Sequence, residues 1–465
     1  MRRPEVMVPV RMRRVAILAP RPALRDTLVR VAEAGCVEID AVDGGARGAA
    51  AGRLQRLRQA PAEAVLSAGP PDLDALERAG RVDLLAGEAQ LEERLRGVVQ
   101  RGGVGALAGW CPAAEVPATA ERLAGAGAAL VPLKAPRGVD PPTLLRTTGA
   151  VRRSFTPLVR TYGTVPYADL DPTLPAGIVY VVMFGVMFGD AGHGALLLLA
   201  GLLLRAGRPR RAASLHALWP FVAGAGLTST LAGLAYGEFF GPTGVLPVLW
   251  LDPLDEPIRL LAAAVALGAA LLALAYAAGI VNRWRENGPS HALYAASGIA
   301  GAALYLGLVL SVGAGLLGRT PFAFAGAAVA ATGLVLAGTG MYLATAGGPG
   351  GAAQTGIQLF DVVVRIGSNL VSFARLAAFG LTHAALGDIV WRGTTALAGA
   401  GAAALVAAIL VFAVGNALAF ALEALVAGVQ ALRLEFYELF SRLFEAQGRP
   451  FHPWHLPVQR TEASS

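Results

Sequence analysis

Apolar residues are spread unevenly along this chain. Over residues 1–170 they alternate with charged positions at the spacings of short strands and amphipathic helices. From about 175 to 435 they come in runs of sixteen residues or more. A helix needs about 20 predominantly apolar residues to cross the hydrocarbon core of a bilayer. Seven such runs stand out, near 175–205, 214–240, 258–282, 291–317, 321–346, 355–394 and 398–436. The pattern predicts a polytopic membrane domain over 171–440, after a soluble domain over 1–170 and before a tail over 441–465.

Charge changes the count of spans. The loop from Arg205 to Arg211 carries Arg205, Arg208, Arg210 and Arg211 and is expected on the cytoplasmic side. The N-terminal segment has no continuous apolar stretch of signal-peptide type, so it too is expected there. A single span cannot join two segments on one side, so the first run is predicted to cross twice. Gly185, Gly189, Gly192 and Gly194 surround Asp190 and His193 in its middle and supply a place to turn. Each arm is then about 15 residues, shorter than an ordinary span. The remaining loops alternate: 241–257, with Asp252, Asp255 and Glu256, lies outside; 282–289, with Arg283 and Arg285, and 347–354 lie inside. The expected fold is mostly α, with eight helical spans, the last two long and tilted, and both termini cytoplasmic.

The first 170 residues read as a small α+β unit of ferredoxin-like type. Strands are predicted at 13–18, 36–42, 105–110 and 128–132. Helices are predicted at 21–34 and 113–124, closed by Gly35 and Gly125, with a helical insert at about 72–101. This is a docking domain by expectation, since no convergent set of reactive side chains appears in it.

Composition narrows the function. Hydrophobic residues make up 55% of the chain, and the mean hydropathy is +0.55. The net charge is +7, yet Lys134 is the only lysine and stands in Pro-Leu-Lys-Ala. A phosphate-binding loop of the Gly-x-x-x-x-Gly-Lys-Ser/Thr kind is therefore absent, and the chain does not hydrolyse ATP that way. The arginines cluster at span ends and in inside loops, which topology explains better than nucleic acid. Cys36 and Cys111 have no metal-type spacing. No cofactor or metal is expected.

The seventh span carries the chemistry. Asp361, Arg365, Ser368, Asn369, Ser372, Arg375, Thr382 and His383 fall on one face of a continuous helix, with Arg375 near the middle of the run. A charge at that depth costs at least ~2.5–3.5 kcal/mol, so it persists where it meets water or a partner. The eighth span carries Asn416, Glu423 and Gln430 at seven-residue intervals, with Arg433 on the flank of that stripe. Facing polar stripes on two long spans suit an intramembrane ion path. The blander alternatives are an internal Arg375–Glu423 ion pair, a local Asp361–Arg365 pair, a purely structural Asp190 and His193 at the bend, and a solvated Glu238. His216 and His291, near membrane boundaries, are assigned no role.

Several of these segments resemble one family in order. Met183–Gly194 is similar to the Met-Phe-Gly-Asp-x-Gly-His-Gly signature of V-type ATPase a-subunits, also called subunit I. Ser372-Phe-Ala-Arg375-Leu with Ala378–Ala384 resembles the segment holding that family's essential arginine, with Phe373 in place of the usual tyrosine. The segments at Glu423, at 430–438, and at Phe444–Gly448 with Phe451-His-Pro-Trp454 resemble its last span and tail. Gly109–Pro112, 141–143, 162–167 and 171–173 also fit, so the resemblance covers about 105–455. The family's cytoplasmic domain is usually about twice as long.

The resemblance implies a non-catalytic stator of a rotary ATPase or ATP synthase in the cell membrane. It implies a proteolipid ring, peripheral stalk subunits and an A/B catalytic sector as partners. It also implies that Arg375, Glu423, His383, Arg433, Asp361, Ser372, Asn416, Gln430 and Glu238 serve proton half-channels. A secondary transporter is the alternative, but the two halves show no inverted repeat.

Overall fold

The computed structural model describes residues 9–40, 49–50, 71–136, 138–345, 347–398, 401–443 and 448–455, with backbone alone at 210–213. The end of the expected strand 36–42, the side chains of Arg210 and Arg211, and Phe444–Gln447 of the tail motif lie outside the described residues. The chain divides into two units, Pro9–Leu145 with Gly448–Ser465, and Arg146–Gln447 with Met1–Val8.

The first unit is an antiparallel sheet with helices on it. Its elements are β1 (Met12–Pro20), α1 (Leu24–Ala34), β2 (Glu38–Ile39), α2 (Leu73–Arg78), α3 (Val82–Arg96), β3 (Val99–Arg101), β4 (Val104–Pro112), α4 (Val116–Ala124) and β5 (Ala129–Pro132). The sheet order β2-β4-β1-β5 is that of a split βαβ fold. β3 ends the predicted helical insert as a strand. It forms a hairpin with β4 through Gly102 and Gly103, whose φ values of 58° and 80° suit a two-residue turn that a β-carbon would strain. Val15, Ile17, Leu28, Val31, Leu107 and Leu123 fill the core, and Trp454 joins them from the far end of the chain. The Trp454 backbone N–H donates to the Val37 carbonyl at 2.9 Å, and Arg449 pairs with Glu38 at 3.1 Å. The Phe451–Trp454 motif is thus part of this unit's packing.

The second unit is helical: α5 (Ala150–Tyr162), α6 (Thr173–Met187), α7 (Ala191–Arg205), α8 (Trp219–Tyr236), α9 (Pro257–Asn287), α10 (Pro289–Tyr294), α11 (Ile299–Leu316), α12 (Thr320–Ala344), α13 (Gly348–Ser372), α14 (Ala374–Ala398) and α15 (Ala402–Leu434). Among the described residues six helices are long and apolar enough to cross a membrane, and α6 and α7 are two shorter apolar ones. The first apolar run is therefore split in two, as its charges require.

The chain reverses between α6 and α7, with α8 as the common partner. α6 runs parallel to α8: Tyr180 meets Phe221, and Thr228 Oγ1 donates to the Val181 carbonyl at 2.6 Å. α7 runs antiparallel to α8: Gly194 lies against Thr230, Leu198 against Gly226 and Gly201 against Ala223. The glycines do a different job from the one expected. None of Gly185, Gly189, Gly192 and Gly194 has positive φ. A β-carbon there would collide with Thr228, Tyr236, Phe240 or Thr230. They are clearance for close helix packing, not relief for a bend. Gly194 and Gly201 on α7 oppose Gly226 and Gly233 on α8, so small residues at seven-residue spacing let two backbones touch.

The entry to α6 is fixed by a buried pair. Arg152 Nη1 donates to Asp171 Oδ2 at 2.5 Å, and the other Asp171 oxygen accepts from Thr173 N at 3.0 Å and Thr173 Oγ1 at 2.6 Å. That accounts for the Asp171-Pro-Thr173 segment. The long helix predicted over 355–394 is broken at Phe373, between α13 and α14. The ring of Phe373 is fully buried over Gly268 of α9, where any side chain would overlap it.

Close packing yields a contrast between two glycines. Gly226→Ala places a methyl in the Leu198 backbone and is expected to cost about 1–3 kcal/mol. Gly313→Ala meets nothing within 4 Å and is expected to be neutral or slightly stabilising. Apparent melting temperatures in detergent measure both; equal midpoints would contradict the packing role.

Candidate functional site

Two polar clusters, the first largely buried and the second partly so, lie along α14 and α15. The first is built on the α6–α7 reversal. Asp190 caps α7: its Oδ1 accepts from the His193 backbone N–H at 2.8 Å, which satisfies an otherwise orphaned helix donor. Its Oδ2 accepts from the Gly241 N–H at 2.7 Å, tying down the loop after α8. The Glu238 carbonyl accepts from Ala191 N at 2.9 Å, so that loop is fastened twice.

His383 projects from α14 into this arrangement. Its Nε2 lies 3.9 Å from Asp190 Oδ2 and 4.0 Å from Glu238 Oε2, and its Nδ1 contacts Glu423 Oε2 of α15. His193 Nδ1 is 3.8 Å from Asp190 Oδ1, and Asn416 faces the same ring. Phe188, Phe240 and Phe420 wall the two imidazoles, with ring centroids 5.1 to 5.8 Å away. Asp190, His193, Glu238, His383 and Asn416 are all buried. Glu238 is thus no solvated helix end: the loop folds back and takes it inside. Asp190 and His193 are also more than the furniture of a bend, since they meet residues from three other elements.

The second cluster holds Arg375. Its Nη2 lies 3.1 Å from Glu438 Oε1, its Nε donates to the Ser372 carbonyl at 3.0 Å, and its Nη2 contacts Ser372 Oγ. Ser372 Oγ donates to Glu438 Oε1 at 2.5 Å. The Asn369 amide, with its nitrogen turned toward Glu438, donates to Oε2 at 2.9 Å. The Arg375–Glu423 pair, the blander alternative for these residues, is therefore not formed: Arg375 takes Glu438, and Glu423 takes His383.

Glu438 is the residue that helical spacing hides. Asn416, Glu423 and Gln430 step by seven, and the next step is Tyr437. The segment Glu435–Phe440 is a π-helix, which adds a residue to the turn. Tyr437 is 70% exposed as a result, and Glu438 is 7% exposed and faces Arg375. Its place at the end of the 430–438 segment that resembles the last-span motif, one position off the polar stripe, is the signal the sequence offers.

Other expected site residues stand apart. Asp361 and Arg365 pair with each other, each more than half exposed, and Ser368 and Thr382 are exposed. Arg433 is exposed beside Arg375. Gln430 Oε1 is buried without a hydrogen bond. Before the first apolar helix, burial with Glu286 close by pushes the Asp169 carboxyl up to about 8.

The two clusters are separated by an apolar layer. Arg375 and His383 are eight residues apart on α14, about 12 Å of helix rise. The buried residues between them are Leu376, Ala377 and Gly380, and Ala427 and Ala431 are buried on α15.

Residues 100–241 match the V-type ATPase 116kDa subunit family. The A-type ATP synthase subunit I of Halobacterium salinarum is 28% identical over 383 residues, covering 68% of this chain and 51% of that protein. The A-type ATP synthase subunit I of Thermococcus kodakarensis is 26% identical over 375 residues, covering 75% and 54%. The chain is a distant homologue of A-type ATP synthase subunit I. It spans about half the length of the curated relatives it matches. A shorter segment of 92 residues is 39% identical to the V-type ATP synthase subunit I 2 of Treponema pallidum, 20% of each chain.

Asp190 gives a direct check on the first cluster. Asp190→Ala removes the cap of α7 and leaves the Gly241 N–H unpaired, costing about 1–2 kcal/mol for the cap and a comparable amount for the buried donor. Asp190→Asn retains an acceptor and is expected to lose less. Equal thermal stability for wild type and Asp190→Ala would show that this carboxylate does not hold the loop.

Proposed function

We propose that the chain is the proton-path stator of a V/A-type rotary ATPase or ATP synthase, working against a proteolipid ring in the cell membrane. The observation that carries this reading is the division of the buried polar residues. Two clusters share one helix pair, and the side chains buried between them are apolar, with Gln430 Oε1, which makes no hydrogen bond, and the Tyr180 hydroxyl, which is tied to the Gly428 carbonyl, as the polar exceptions. Each is the blind inner end of a half-path: Asp190, His193, Glu238, His383, Asn416 and Glu423 on the outer side, and Asn369, Ser372 and Glu438 on the inner. A proton cannot step across the apolar layer, so it must be carried around it by a group on a partner. A ring carboxylate that takes a proton at one cluster, travels with the rotor and gives it up at the other does that.

Eight crossings support the sidedness. The chain leaves the N-terminal unit at residue 145 and returns to it at 448, so it crosses the membrane an even number of times. Six long helices and the reversed pair α6 and α7 make eight. At 15 residues each, α6 and α7 are about 22 Å long, short of the ~30 Å hydrocarbon core, and so favour a thinned, wetter membrane beside the outer cluster.

Arg375 sits at the junction. Its guanidinium stays charged at any working pH and offers a planar fork to a carboxylate. In the resting arrangement Glu438 and Ser372 hold it. A ring carboxylate arriving ionised exchanges for Glu438, so no charge is left bare at either stage. The fixed positive charge also repels a proton seeking to leak between the clusters. A proton moving down the potential releases ~2.3 kcal/mol per 100 mV. ATP chemistry belongs to an A/B-type catalytic sector, linked through peripheral stalk subunits. Asp361, Arg365, Gln430 and Arg433 would face the rotor or flank the inner path.

Proton pumping by the assembled complex, read with a pH-sensitive dye in vesicles, tests this. Arg375→Ala should abolish ATP-driven pumping with the complex still assembled, and Arg375→Lys should nearly do so. The purely structural alternative is an Arg375–Glu438 lock, for which the Arg375→Leu, Glu438→Leu double variant would be tolerated. Pumping by that double variant would overturn the proposal.

A further inference from the structure

The outer cluster has a chemistry that proton relay does not use up. Asp190, His193 and His383 each offer one donor atom, and the three atoms lie within 4.8 Å of one another. The His193 ring is only 3% exposed, and apart from the looser approaches of Asn416 and Asp190 its buried nitrogens have no partner at hydrogen-bond distance. A polar ring sealed among Phe188, Phe240 and Phe420 with neither nitrogen hydrogen-bonded is costly unless something occupies the space before it.

We propose that Asp190, His193 and His383 form a divalent-metal site of the zinc type, with Glu238 as fourth ligand, and that a bound ion closes the outer cluster to protons. The closing effect rests on the half-path reading; the metal site itself does not.

The donor set selects the ion. Two imidazoles and carboxylates suit Zn2+, whereas Ca2+ and Mg2+ call for six or more oxygens. Two carboxylates also cancel the charge of a divalent ion, which leaves a neutral centre in an apolar box. The geometry is near what is needed. Zinc bonds of about 2.0–2.2 Å put tetrahedral ligand atoms roughly 3.3 Å apart. Here His193 Nδ1 stands 3.8 Å from Asp190 Oδ1, and His383 Nε2 stands 3.9 Å from Asp190 Oδ2 and 4.0 Å from Glu238 Oε2; taking one ligand atom from each of Asp190, His193 and His383, the three lie within 4.8 Å of one another. Rotation of the two rings and inward movement of the ligand atoms would be needed to close the set, with Glu238 reaching it from beside His383. Support from outside is already in place. Asp190 is positioned by the N–H groups of His193 and Gly241, and the free nitrogen of His383 meets Glu423, the carboxylate–imidazole–metal relay that orients a ligating histidine. Once both imidazoles bind metal, neither can take a proton from Asp190 or pass one to Glu423.

Cobalt(II) serves as the probe, added to the full chain purified without a histidine tag and stripped by a chelator. One ion per chain should give the intense visible bands of a tetrahedral site, and Zn2+ should displace it. His193→Gln and His383→Gln should abolish those bands. His193→Cys should restore binding and add a sulfur-to-cobalt charge-transfer band, which also shows that the variant is folded. A weak octahedral spectrum in the wild type, or His193→Gln binding as tightly as wild type, overturns the site. For the closing effect, Zn2+ on the outer face of vesicles holding the assembled complex should slow pumping at least tenfold, and a chelator added to that face should restore the rate. Tetrahedral binding with unchanged pumping would leave the metal site standing and overturn the closing effect, whereas the half-path reading falls separately, on pumping by the Arg375→Leu, Glu438→Leu double variant.

Discussion

The structure of the helical unit turns on one constraint: charge inside an apolar medium must be paired, and pairing must leave a gap. Arg375 would be expensive alone, so it is held by Glu438 and the Ser372 carbonyl, with Asn369 satisfying the second oxygen of Glu438. His383 would be expensive alone, so it sits among Asp190, Glu238 and Glu423. Each cluster is closed on itself. Leu376, Ala377 and Gly380 carry nothing that can accept a proton, so the two clusters share a helix without sharing a hydrogen-bond network.

Close packing makes the outer cluster possible. Asp190 reaches both its cap position and the Gly241 N–H because α7 and α8 approach through Gly194, Gly201, Gly226 and Gly233. A similar glycine contact recurs between α11 and α12, where Gly307 and Gly333 meet backbone across the interface. The loop after α8 is held in turn where Gly241 meets Gly387 of α14, two residues that leave no room for side chains between them. The histidine-bearing helix is thereby set at a fixed distance from the carboxylates it faces.

Much of this was legible in sequence. Apolar run lengths reveal the helices, and the arginines at 205 and 208 force the first run to fold back. The alternation in 1–170 shows the α+β unit, because side-chain period tracks strand and helix. What escaped was set by packing or by local departures from regular helix. The glycines around Asp190 look like a bend and are clearance, since sequence carries no sign of what lies opposite. The π-turn at 435–440 moves Glu438 onto the face that regular spacing gives to Tyr437, and so hides the partner of Arg375. The break at Phe373 depends on a slot over Gly268, more than a hundred residues away in sequence. Glu238 looked solvated because it follows a helix end, and only the fold of its loop takes it inside.

The central claim is that two water-reachable clusters open to opposite faces of the membrane and are kept apart by an apolar layer. Side-specific labelling tests it most directly. Single cysteines are placed at Asn416, Ala377 and Glu438 in a chain with Cys36 and Cys111 replaced by serine, and intact vesicles of known orientation are treated with a small membrane-impermeant thiol reagent. The account predicts labelling of position 416 from the outer face only, of position 438 from the inner face only, and none at 377 from either. Labelling of 416 and 438 from the same face, or ready labelling of 377, would contradict it.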